Sequence, residues 1–100
     1  MPRASGTRPE NVVAYVAANV RRLRVAGHLT QEGLAETAGL SAIHLRRIEA
    51  GKADLRVTML VRLAVALGCE PWRLLRPAAP VERRAGRPPA RAIRGRARGA

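Results

Sequence analysis

From Val13 to Leu23 the large apolar residues Val13, Val16, Val20 and Leu23 recur at steps of three and four. That is the period of one helical face. Pro9 suits the first position of this helix. Arg21, Arg22 and Arg24 crowd its last turns, where cations favour the helix dipole, and Gly27 stops it. The pattern predicts a helix over 9–26. A second helix follows Thr30 as N-cap, with Leu34, Ala35 and Ala38 inward and Gly39 as a left-handed C-cap. Gly33 costs this helix about 1 kcal/mol relative to Ala. It also stands where a capping box would carry its acid, so the helix depends on packing.

Ser41 caps a third helix closed by Gly51, with Leu45 and Ile48, and Leu40 just before, turned to the core. At 100° per residue Ile43, Arg46, Arg47 and Ala50 fall on the opposite face. After a loop from Lys52 to Arg56, Val57, Leu60, Leu63, Ala64 and Leu67 predict the inward stripe of a fourth helix ending at Gly68. Glu70-Pro71 reads as N-cap and first position of a short fifth helix, Pro71 to Leu75. The organisation expected is a disordered N-terminus over 1–8, a helical domain over 9–75 and a disordered tail over 76–100.

Charge divides along the same boundary. The chain of 100 residues carries a net +12. Residues 1–75 hold eleven Arg/Lys against six Asp/Glu, a net +5, and residues 76–100 hold eight Arg against one Glu, a net +7. Only Lys52 is a lysine. Arginine forms bidentate contacts with phosphate and guanine, but drift in a GC-rich genome produces the same bias. The excess favours a polyanionic partner: DNA, RNA or an anionic membrane surface. The tail is made almost wholly of Arg, Ala, Pro and Gly, with Val81 and Ile93 its only large apolar residues, too few to offset chain entropy. Arg84-Ala85-Gly86-Arg87-Pro88-Pro89 and Arg94-Gly95-Arg96-Ala97 are broken versions of an Arg-Gly-Arg-Pro minor-groove hook; plain phosphate binding is the simpler expectation.

Other chemistry is sparse. One cysteine allows neither an internal disulfide nor a thiolate cluster for zinc. His28 and His44 have no carboxylate or thiol company, so no metal site is expected. Cys69 is expected to be core. Tyr15 and Trp72 are too few for a base-stacking platform and are expected to pack the domain; Trp72, on the last helix, also suits a dimer interface. No nucleophile–base set, carboxylate pair or phosphate loop is present, so no enzyme activity and no cofactor are expected. No apolar run nears the roughly 18 residues needed to span a membrane, and residues 1–8 lack the apolar core of a secretory signal. A cytoplasmic, nucleoid-associated protein is the expectation.

Two short helices around a tight turn, with charge gathered on the second, are a device for presenting a helix to the major groove. The succession Val20-Arg21-Arg22-Leu23-Arg24, Leu29-Thr30-Gln31, Leu34-Ala35, Gly39-Leu40-Ser41, Leu45-Arg46-Arg47-Ile48-Glu49, Gly51-Lys52 and Leu60-Arg62-Leu63-Ala64-Leu67-Gly68 resembles the phage-repressor and Cro-like helix-turn-helix family, also called the xenobiotic-response-element family. The resemblance covers about residues 11–75. It implies an all-α, compact five-helix lambda-repressor-like domain whose third helix enters the major groove. It also implies a phosphate contact and a bracing role for Gln31, base-reading positions at Ala42, Ile43, Arg46 and Arg47, and a phosphate contact at Lys52. Ser41, at the same helix start, is taken as a further phosphate contact. Many relatives carry a polar residue where Ala42 or Ile43 stands. Those two can only press on a thymine methyl, which leaves direct readout to Arg46 and Arg47 and so favours guanine. The family usually has Pro at the position of Leu55 and a capping Ser at that of Arg56, so the start of helix four is open by a residue or two. Glu49 is expected to pair with Arg46 or another nearby Arg.

The expected function is sequence-specific regulation of transcription by a homodimer on double-stranded DNA, with half-sites near 34 Å apart. Two rivals share the domain. An antitoxin would need a segment that orders on a toxin partner, and only the chain ends are available for it. A non-specific nucleoid or RNA-binding protein would show no sequence preference. If the tail grips five or more phosphates, each adds about −0.9 to the slope of log affinity against log salt. Deleting residues 77–100 is therefore expected to weaken binding about evenly across sequences and to flatten the salt dependence. An unchanged slope in a salt titration would show that the tail takes no part.

Overall fold

The computed structural model describes residues 8–79; the expectations for residues 1–7 and 80–100, including the two hook-like tail segments, lie outside them. Four α-helices follow one another: α1, Pro9–Ala26; α2, Gln31–Ala38; α3, Ala42–Glu49; and α4, Val57–Leu67. A single turn of 3₁₀ helix, Pro71–Leu74, completes the order, and no strand occurs among the described residues. The expected fifth α-helix is thus only this one turn. Glu70 makes no side-chain cap there, and one hydrogen bond, from the Leu75 N–H to the Trp72 carbonyl, closes it.

The helices start where local chemistry starts them. The Thr30 hydroxyl accepts the Gly33 N–H and the Ser41 hydroxyl accepts the His44 N–H, so α2 and α3 each have an orphan donor satisfied at the N-terminus. α4 begins at Val57 after Arg56, with no side-chain cap. Each helix ends through a left-handed residue whose successor donates back to a carbonyl inside the last turn. Leu40 donates to Ala35, Lys52 to Arg47 and Cys69 to Ala64, past Gly39, Gly51 and Gly68. In α1 the left-handed residue is His28 (φ 60°), not Gly27, and Leu29 donates to Arg24. A side chain costs more than glycine in that region. A second bond offsets the cost, because Arg24 Nη1 also donates to the Leu29 carbonyl at 2.9 Å.

The amphipathic faces then close on one another. α1 packs against α3 and α4, while α2 packs against α3, across the turn at Gly39, and against α4. Val16, Val20, Leu34, Ala35, Ala38, Leu45, Ile48, Leu63, Ala64 and Leu74 form the core, in which Val20, Leu34, Leu45, Leu63 and Leu74 are sealed from solvent. Burying a Leu, Ile or Val side chain stabilises the fold by about 1.5–3 kcal/mol, so this aliphatic set holds the bundle together without any Phe. Leu74 is the apolar anchor of the final turn.

Three side chains depart from the expected pattern. Val57, read as part of the inward stripe, is 74% exposed, because it shares the outer row of α4 with Val61 and Val65 while Leu60 and Leu63 turn to the core. Trp72, read as domain packing, is exposed, with the guanidinium groups of Arg73 and Arg76 each 5.9 Å from its ring centre. Asn19, absent from the sequence reading, is the buried polar residue of α1. Its amide Nδ2 donates to the carbonyls of Leu74 and Arg76 at 3.0 Å, and its Oδ1 accepts from Arg22 at 2.7 Å. Asn19 therefore ties the end of the domain onto α1, with every polar atom of its side chain occupied.

Candidate nucleic-acid interface

The outer face of α3 can act as a rigid reader only if something fixes the helix from behind. Glu49, at its C-terminal end, lies one turn beyond Leu45 and so turns inward. Its carboxylate accepts Arg24 Nε at 2.7 Å and Arg24 Nη2 at 3.1 Å, a two-pronged pair whose side chains are 13% (Arg24) and 3% (Glu49) exposed. The same carboxylate accepts Gln31 Nε2 at 3.0 Å. Three donors from α1 and the first residue of α2 thus converge on the last residue of α3. The pairing anticipated for Glu49 is with Arg24, not Arg46, since Arg46 points away from the core.

Behind that brace the exposed side of α3 carries Ile43, 69% exposed, with Arg46 and Arg47. Ala42 is half-buried and packs against the core, so Ile43 is the more accessible of the two apolar candidates. Arg46 Nη2 reaches back across the turn to Glu32 Oε2 at 3.0 Å. Arg47 Nη2 donates to the Lys52 carbonyl at 3.0 Å, while the Lys52 N–H donates to the Arg47 carbonyl, which clasps the loop after α3 to the helix. The Ser41 hydroxyl is used as an acceptor by its own helix but keeps its proton to donate. Gln31 likewise spends one amide hydrogen on Glu49 and keeps another. Gln31, Ser41, Ile43, Arg46, Arg47 and Lys52 all belong to α2, α3 or the segments bounding them, and together they offer donors, two guanidinium forks and one apolar contact. That inventory suits a phosphate backbone and a base edge.

The remaining chemistry is structural. Burial pushes the Cys69 thiol above its ordinary range, and Glu70 adds to the rise while Arg73 opposes it. Cys69 stays a thiol packed against the core, not a reactive thiolate. His44 is half-buried. Among the described residues no group of three or more His, Cys, Asp or Glu could hold a metal, and no helix is long and apolar enough to cross a membrane. Arg24 was legible in the sequence only as a cation at a helix end. Asn19 had a signal, a polar residue between Val16 and Val20 on an otherwise apolar face.

Comparison with protein-family models matches residues 20–71 to the helix-turn-helix family HTH_3. The chain belongs to this helix-turn-helix family. This makes it a DNA-binding protein of transcription regulation. The fold is shared with the restriction-modification controller protein C.AhdI from Aeromonas hydrophila, at 32% identity and a TM-score of 0.60, over 62% of this chain and 94% of that one. It is shared with a hypothetical transcription factor, NHTF, from Neisseria, at 27% identity and a TM-score of 0.66, over 77% and 88%. The clp gene regulator ClgR from Corynebacterium glutamicum matches at 25% identity and a TM-score of 0.62, over 64% and 68%. Comparison with curated protein sequences finds no match.

The brace makes a thermodynamic prediction. Arg24→Leu leaves the Glu49 carboxylate buried with Gln31 alone. Breaking a buried pair from one side costs about 3–5 kcal/mol, a large part of the roughly 5–15 kcal/mol that holds a domain together. Urea unfolding is expected to show that loss for Arg24→Leu and recovery of most of it in Arg24→Leu/Glu49→Leu. A single-variant loss below about 1 kcal/mol would show the pair to be incidental.

Proposed function

We propose that the protein is a sequence-specific transcriptional regulator that inserts α3 into the major groove of double-stranded DNA. The observation that carries this reading is an exposed helix face bearing Ile43, Arg46 and Arg47, braced from behind by Arg24, Gln31 and Glu49. A helix locked from the inside and bare on the outside is preorganised, so little freedom is lost when it meets a base edge. Arg46 and Arg47 supply forks for guanine and Ile43 a contact for a thymine methyl. Gln31, Ser41 and Lys52 donate to phosphates and set the register. Ala42 contributes by holding the start of α3 close to its support. The similarity to a restriction-modification controller and to a clp gene regulator supports a regulatory role.

Selection of bound sequences from a random DNA pool tests this directly and is expected to return a defined, G-containing half-site. Arg47→Ala is expected to cost about 1–3 kcal/mol on that site and to relax base preference at one position. Equal loss on all sequences would make Arg47 a phosphate contact. A pool without enrichment would make the protein a non-specific nucleic-acid binder.

We further propose that the reader works as a homodimer joined through α4. Val57, Val61 and Val65 form an exposed row at four-residue spacing, the ridge that packs helices against each other. At one end of the row Val57 and the exposed Leu75 border an apolar groove of about 670 Å³ with Val12, Val13 and Leu60. A specific interface needs roughly 1,000 Å² of covered surface, so the groove walls have to join the row in the contact. The row carries no charge, which suits contact between two copies that are both basic. Val61→Glu/Val65→Glu is expected to convert dimer to monomer by light scattering and to abolish cooperative binding to paired half-sites about 34 Å apart, with the isolated half-site still bound. An unchanged mass would place the interface elsewhere.

A further inference from the structure

Three ion pairs occur among the described residues, Arg8–Glu10, Arg24–Glu49 and Arg46–Glu32. Only the last joins the start of α2 to the exposed face of α3. Its N–O distance is 3.0 Å, and its side chains are 49% (Arg46) and 67% (Glu32) exposed. An acid placed beside a base-reading arginine is not needed for stability, because such exposed pairs contribute little. We infer that Glu32 is a specificity-determining residue: it keeps Arg46 from docking on phosphate while leaving it able to read a base. This rests on the DNA-reading role proposed above.

The chemistry follows from the number of donors on a guanidinium. Arg46 spends one Nη2 hydrogen on Glu32; the second Nη2 hydrogen, together with Nε or Nη1, remains as one intact fork for another partner. Guanine offers two neutral acceptors, O6 and N7, which that fork can engage while the other Nη2 hydrogen stays on the carboxylate. Glu32 then fixes the plane of the fork and meets no opposing charge. A phosphate in the same place brings negative charge within a few ångströms of the Glu32 carboxylate. The like-charge contact cancels much of the attraction that Arg46 supplies. Base edge and backbone are thus separated by charge, not by shape, and the wrong contact is penalised more than the right one is rewarded. Arg47 has no such filter. Its partner is the neutral Lys52 carbonyl, so it is free to bind either.

The test compares Glu32→Gln with the unmodified full chain on the preferred duplex from the selection and on a scrambled duplex, at about 0.15 M salt, where charges more than about 8 Å apart are screened. Glu32→Gln is expected to bind the scrambled duplex three- to fivefold more tightly, with no gain on the preferred one, so the specificity ratio falls by that factor. In an Arg46→Ala background the same change is expected to leave the ratio within twofold. Glu36→Gln, on the same helix and outside the ion pairs found among the described residues, should shift both duplexes alike. Equal gains on both duplexes for Glu32→Gln, or no gain on the scrambled one, would overturn the role given to Glu32. Absence of any preferred duplex for the unmodified protein would instead overturn the DNA-reader proposal itself.

Discussion

The Glu49 carboxylate is where the three N-terminal helices meet. Arg24 reaches it from α1 with two nitrogens and Gln31 from the first residue of α2 with one. A buried carboxylate that lost these donors would carry a desolvation cost with nothing to offset it. The pairing therefore holds α3 at one rotation and one depth, which apolar packing of Leu45 and Ile48 would leave less sharply defined. Arg24 also holds the Leu29 carbonyl, and so fixes the bend around His28 that leads into α2. One side chain sets both the entry of α2 and the seat of α3.

The outward face of α3 is the consequence. Because Glu49 and the two core residues occupy the inner side, Ile43, Arg46 and Arg47 have nowhere to go but outward. Their own contacts differ in kind: a carboxylate for Arg46 and a backbone carbonyl for Arg47. Two adjacent arginines that look interchangeable along the chain are thereby given different electrostatic surroundings. On the other side of the bundle α4 has more apolar residues than the core can use, and the surplus is presented as the row from Val57 to Val65. A small domain with few core positions cannot bury every valine of a helix that is apolar on more than one face.

Much of this was legible in order. The spacing of Val13, Val16, Val20 and Leu23, the caps at Thr30 and Ser41, and the glycines at 39, 51 and 68 mark helix limits that the structure reproduces, because caps and left-handed ends are local effects. The outward placement of Ile43, Arg46 and Arg47 follows from 3.6-residue periodicity. The bracing role of Gln31 came from family resemblance, and the geometry supplies its partner. Less legible was the end of the domain. Pro71 to Leu75 has the composition of a helix start, but only Leu74 finds a place in the core, so one turn forms and Trp72 stays outside.

The sequence by itself determined the elements, their polarity and the sign of the charge, since each depends on neighbours within about one helical turn. Tertiary structure alone decided which charged groups meet. Arg24 and Glu49 are 25 residues apart, Arg46 and Glu32 are 14 apart, and Asn19 and Leu74 are 55 apart. No periodicity connects such positions. Their distances are set by how the helices cross, and the energy of a charge or a buried amide depends on those distances and on the water that packing excludes.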